Sequence, residues 1–235
     1  MNKKVKIAIV IIVILILGYG IFYLTDYYHA EKTATDFLNG SGNVSVVKQS
    51  NGLLLDGPGN DSALIFYPGA KVEYTSYLPM FTQLASQGVD CYLVEMPFNI
   101  AFLGQDRAGD IINNSSYAHY YMAGHSLGGV VASSYANHTD DVDGLILLAS
   151  YPTDEIHKPI LSLYGSNDKV LNLEKYNEAK PLIKSNFTEF VINGGNHGQF
   201  AYYGNQSGDG KATISAENQQ EQCVHEILEF VENFN

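Results

Sequence analysis

Within the 235-residue chain, the segment best equipped for chemistry is Gly124-His125-Ser126-Leu127-Gly128. It follows the apolar run Tyr120-Tyr121-Met122-Ala123 and precedes a helical pattern from Leu127 to Asn137. That context predicts a sharp strand-to-helix turn that pushes the serine hydroxyl into the open. The flanking glycines let the backbone turn without Cβ clashes, and the unpaired N–H groups of a helix start favour a developing oxyanion. A serine hydroxyl is a weak nucleophile at neutral pH and needs a base held by a third group. Of the seven histidines, His138, His157, His197 and His225 lie beyond Ser126. His138 ends the helix after the turn and His225 lies within the final helix, so both read as solvated; His157 follows a short acidic loop. His197 stands in Gly194-Gly195-Asn196-His197-Gly198, just after the last apolar strand, and is the expected base. Asp168, in Tyr164-Gly165-Ser166-Asn167-Asp168, directly follows the preceding strand and is the expected acid; Asp154 and Glu155, one strand earlier, are the alternative. The expected oxyanion donors are the N–H groups of Leu127 and of Ala70, the latter in Tyr67-Pro68-Gly69-Ala70, where Gly69 has no side chain to block a substrate.

These residues need a scaffold. Short apolar runs at Ala63–Tyr67, Val89–Val94, Tyr120–Ala123, Leu145–Ala149, Ile160–Tyr164 and Phe187–Ile192 read as buried strands. Helical patterns occur at Pro79–Gln87, Arg107–Asn113, Leu127–Asn137 and Ser215–Phe234, the last capped by Ser215. Apolar strands alternating with helices predict a mostly parallel sheet covered on both faces, with ligands at the carboxyl ends of the strands. Val44–Gln49 and Leu53–Asp56 around Asn51-Gly52 predict a leading antiparallel hairpin. The segment Gly204–Lys211 is polar and glycine-rich, and is the expected mobile flap.

The composition excludes some partners. A formal charge of −12 argues against nucleic acid, whose phosphates reward basic surfaces. Cys91 and Cys223 form no paired motif and read as buried thiols; no Cys/His spacing suits a metal, and no cofactor is expected. At the amino terminus, Lys3, Lys4 and Lys6 precede an apolar run from Ile7 to Leu24. The reading is an uncleaved signal anchor over residues 1–24, its tip cytoplasmic and the rest of the chain outside the membrane. Residues 25–43 read as a stalk, and 44–235 as the catalytic domain.

From about Val44 onward the chain resembles the α/β-hydrolase superfamily, and is similar to a compact bacterial group related to dienelactone-hydrolase-like esterases. The matching elements are Tyr67-Pro68-Gly69, Gly124 to Gly129, Leu148-Ala149-Ser150-Tyr151-Pro152, Tyr164 to Asp168, Gly194 to Phe200, and Gly208 to Ser215. The resemblance implies an α/β-hydrolase fold and a Ser126–His197–Asp168 triad. A serine nucleophile departs from dienelactone hydrolase itself, which uses cysteine, and from the aspartate-dependent dehalogenases and epoxide hydrolases. The short segments between strands leave no room for a large cap, and Gly69, Met96, Phe98 and Phe200 are the expected substrate contacts. The function read from these residues is hydrolysis of a small-molecule ester, thioester or lactone through an acyl-serine. Transfer of the acyl group to a cell-envelope acceptor, and a non-catalytic binding protein on the same fold, are the alternatives.

Overall fold

The computed structural model describes residues 2–233. A sheet of eight strands runs through the molecule: β1 (Ser45–Gln49), β2 (Gly52–Asp56), β3 (Ser62–Tyr67), β4 (Val89–Val94), β5 (His119–His125), β6 (Gly144–Leu148), β7 (Ile160–Gly165) and β8 (Phe187–Ile192), in the order β1-β2-β4-β3-β5-β6-β7-β8. β1 and β2 form an antiparallel hairpin, and β2 is antiparallel to β4. Every other pairing is parallel. The helices are α1 (Lys3–Thr25), α2 (Lys32–Thr35), α3 (Leu78–Ala85), α4 (Arg107–Asn113), α5 (Leu127–Asn137), α6 (Leu173–Ala179) and α7 (Ala216–Glu232).

Alternation along the strands makes two cores. On β3, Leu64 and Phe66 point into a core shared with Leu78, Phe81 and Leu84 of α3 and Val224 and Ile227 of α7. Ala63, Ile65 and Tyr67 point the other way, against Ala108 of α4 and Val131 and Ala132 of α5. A strand buried on both faces has no polar side, so these runs are apolar without a break. Each fully buried Leu, Ile or Phe contributes ~1.5–3 kcal/mol. The crossovers place β3, β5, β6 and β7 side by side, so the turns after them open on one edge.

The sequence misses α6, whose Leu-Glu-Lys-Tyr-Asn-Glu-Ala is too short to show a period; its only signal is Asn172, whose side chain caps the Lys175 N–H at 3.0 Å. The expected cap of the last helix is present, with Ser215 Oγ accepting from the Asn218 N–H at 3.1 Å; its expected end at Phe234 lies outside the described residues. Residues 25–43 are not a free stalk. The Tyr28 N–H donates to Lys71 O and the Glu73 N–H to Tyr28 O, at 2.7 and 3.0 Å. The Tyr28 ring lies 5.3 Å from that of Tyr203, and Ala34 is wholly buried. Tyr28, Ala34 and Phe37 pack inward, but three apolar side chains in a polar segment set up no period that the sequence could show.

Among the described residues no helix is long and apolar enough to cross a membrane. The lysines occupy the first turn of α1, so its apolar run is the 18 residues Ile7–Leu24, roughly 27 Å at about 1.5 Å per residue. That falls short of a hydrocarbon core of about 30 Å. The expectation of a spanning helix is corrected accordingly.

Candidate active site

Ser126 sits between β5 and α5 with φ 52° and ψ −122°, a conformation costly for a residue with a Cβ. The surroundings impose it. The Ser126 N–H donates to Leu148 O at 2.9 Å, and Ser150 Oγ donates to Ser126 O at 2.7 Å. Gly128 allows α5 to start against the preceding loop: a Cβ there would lie 2.2 Å from Tyr67 O and 2.3 Å from Pro68 O. Ala149, the residue after β6, also has a positive φ, of 47°.

Asp168 and His197 meet as the sequence predicts. His197 Nδ1 and Asp168 Oδ2 are 2.8 Å apart, and both residues are buried. Asp168 Oδ1 accepts the N–H groups of Val170 and Leu171, each at 2.8 Å, so the carboxylate is fixed from both ends. His197 Nε2 is buried and has no hydrogen-bond partner among the described residues. Ser126 and His197 line one cleft of about 210 Å³, together with Leu127, Val130, Tyr151 and Val170. Their side chains are not hydrogen-bonded to each other in this structure. The alternative acids lie elsewhere: Asp154 is exposed, and Glu155 pairs on the surface with His157 at 3.2 Å and Lys184 at 3.6 Å.

The β3 loop is held almost residue by residue. The Gly69 N–H donates to Tyr77 Oη at 3.1 Å, the Val72 N–H to Gly69 O at 3.2 Å, and the Lys71 N–H to Asn99 O at 2.7 Å. The Ala70 N–H is left without an acceptor among the described residues, as is that of Leu127. His125 organises this loop from below. Its Nδ1 lies 2.7 Å from Tyr77 Oη, and its ring lies 4.5 Å from that of His197. Tyr77 Oη therefore accepts from the Gly69 N–H and shares one further hydrogen bond with His125 Nδ1. Burial pushes the His125 pKa well down, and the nearby His197 adds to this, so its imidazole is neutral.

Of the expected substrate contacts, Gly69 lies against His125. The others do not line the cleft. Phe200 is wholly buried with its ring 5.3 Å from His125, Met96 is buried in the core beside Tyr67, and Phe98 is exposed. Tyr151, Val130 and Val170 line it instead. Tyr151 and Val170 follow β6 and β7 at the carboxyl edge, the signal that would have found them. Gly204–Lys211, expected as a flap, is stitched down. The Asp209 carboxylate accepts the N–H groups of Gly198 at 2.9 Å and Lys169 at 3.3 Å, while Asn196 and Asn167 donate to Gly210 O and Lys211 O.

A parallel sheet with a strained serine after its central strand, and with an acid and a histidine on the next turns, defines the α/β-hydrolase class. Residues 63–221, more than half the chain, match the alpha/beta hydrolase family, and the chain belongs to it. It is a hydrolase. No curated protein sequence matches it. Solved structures share its fold. Dienelactone hydrolase from Anabaena variabilis is 13% identical with a TM-score of 0.62, over 80% of this chain and 99% of that one. Est1E from Butyrivibrio proteoclasticus, solved with ferulic acid bound, is 15% identical with a TM-score of 0.60, over 80% and 96%. Esterase 2 from Thermogutta terrifontis, phosphoramylated by tabun, is 13% identical with a TM-score of 0.56, over 81% and 96%. The resemblance to dienelactone-hydrolase-like esterases drawn from the motifs is borne out.

Proposed function

We propose that this hydrolase is a serine esterase that cleaves ester-type bonds of small molecules through an acyl-serine. The observation that carries the reading is the buried His197, whose Nδ1 is held by Asp168 while its Nε2 is unpartnered beside a cleft shared with Ser126. Ser126 Oγ attacks the acyl carbonyl carbon as its proton passes to His197 Nε2. The N–H groups of Leu127 and Ala70 receive the oxyanion, Asp168 stabilises the imidazolium, and collapse expels the alcohol with the proton from His197. Water, deprotonated by His197, then attacks the acyl-serine; the carboxylic acid leaves and Ser126 recovers its proton. Labelling with a fluorophosphonate tests this, and the tabun-modified esterase among the structural neighbours supports that choice of probe. The parent chain should label and Ser126→Ala should not; a folded parent that stays unlabelled refutes an activated serine.

The second part of the reading is that α1 holds the enzyme at a membrane by embedding its apolar run in lipid. Supporting it, large apolar side chains point outward all round α1, from Val5 at 46% exposure to Tyr19 at 70% and Phe22 at 62%. A helix apolar on every side needs an apolar surrounding, which lipid supplies. The full chain should float with phosphatidylcholine vesicles, and a chain lacking residues 1–25 should not.

A further inference from the structure

The turn after β4 carries the most exposed large apolar side chains outside α1. Phe98, Phe102 and Leu103 are 56%, 54% and 55% exposed, yet the turn is not loose. Ala101 between them is wholly buried, and the N–H groups of Asn99, Ile100, Leu103 and Gly104 all donate to backbone carbonyls within the turn. Phe98 and Asn99 are held at φ 53° and 55°, an uncommon conformation that persists only where its surroundings fix it. The fold therefore commits backbone strain to presenting apolar rings to the outside.

Lys71 connects this turn to the end of α1. Its N–H donates to Asn99 O and its carbonyl accepts from Tyr28, each at 2.7 Å. Its Nζ lies 4.2 Å from the Tyr23 ring and 3.4 Å from Asp26 Oδ2. Tyr19, Phe22 and Tyr23 form an aromatic cluster at the end of the apolar run, the composition of a membrane–water boundary. A lysine beside it, its Nζ paired with the exposed carboxylate of Asp26, fits the same level. Lys71 is also the residue after Ala70, so one loop carries both the boundary marker and the oxyanion donor.

Building on the reading of Ser126 and α1 given above, we propose that the 97–103 turn dips into the boundary of the bilayer that holds α1, and that the substrate is an acyl ester resident in that bilayer. The occupant of the apolar surface is lipid of no net charge, because a chain of charge −12 gains nothing from anionic headgroups. Insertion by about 5–10 Å, typical of interfacial apolar side chains, turns the carboxyl edge of the sheet toward the lipid. The acyl ester then reaches Ser126 from the bilayer without crossing water.

The chain contains no tryptophan, so a single introduced indole reports cleanly. In the full chain bound to phosphatidylcholine vesicles, Phe102→Trp should be quenched strongly by brominated acyl chains. Val47→Trp, on the outer strand β1, should not. In parallel, F102S/L103S should lower turnover of a long-chain acyl ester dissolved in the vesicles by about tenfold or more, equivalent to ~1.4 kcal/mol, and leave a water-soluble butyrate ester unaffected. Absent quenching, equal quenching at both positions, or an equal fall on both substrates overturns the proposal. So does a parent dimer that F102S/L103S converts to monomer without any effect of lipid, since the surface would then be covered by a second copy. Failure of the Ser126 reading appears separately, as a parent inactive on the soluble ester. Failure of the α1 reading appears as a chain that does not float with the vesicles, and takes this proposal with it.

Discussion

On the proposed reading, the chemistry turns on one imidazole and on what holds it. Asp168 spends one oxygen on His197 Nδ1 and the other on the N–H groups of Val170 and Leu171, so it cannot swing away. Asp168→Asn leaves a group of the same shape but offers the imidazole the wrong hydrogen-bond pattern. Turnover should fall by about 10⁴-fold, read as kcat on a soluble ester, with the fold unchanged by circular dichroism. The positions of Ser126, His197 and Asp168 were legible in the sequence because each lies in the turn after a strand, on the edge where ligands bind. Met96 and Phe200 were misread because an aromatic or thioether near a motif looks the same in sequence whether it faces a cleft or the core. Burial settles it: Phe200 fills space under His125, a role with no sequence signature of its own.

At the level of elements, the turn between β5 and α5 works because backbones approach closely. Gly124 and Gly128 are required by contact, since neither has a positive φ; a Cβ on Gly128 would overlap two carbonyl oxygens of the β3 loop. Gly128→Ala must therefore push α5 away from the loop that presents Ala70. We expect a loss of at least ~2 kcal/mol in urea unfolding, together with loss of fluorophosphonate labelling at temperatures where the protein remains folded. The parallel strands were readable from their unbroken apolar runs, and β4, α4, α5 and β8 fall where the pattern places them. α6 and the docking of residues 25–43 were not, because a seven-residue helix and an irregular strap carry too few apolar positions to establish a period.

For the molecule as a whole, stability carries a signature of the buried His125. An ordinary histidine titrates near 6.5, whereas burial holds this one well below that value. Between the two values the unfolded chain binds a proton that the folded chain does not. Stability therefore drops as pH falls below about 6.5, by up to ~1.4 kcal/mol per pH unit. His125→Gln should flatten that part of the profile in urea denaturation at pH 7 and pH 5.5. An unchanged slope would place the acid sensitivity in other groups.

The strap formed by residues 25–43 sets where the body of the enzyme begins. Tyr28, Ala34 and Phe37 belong to the packed structure, so the border with α1 lies near Asp26 and not at Val44. If α1 holds the enzyme at a membrane as proposed, a protease that clips between α1 and Tyr28 sheds the whole packed body into the surroundings. One that clips at the glycines near 40–42 leaves a nicked molecule whose two pieces stay clasped, still tethered by its own severed strap.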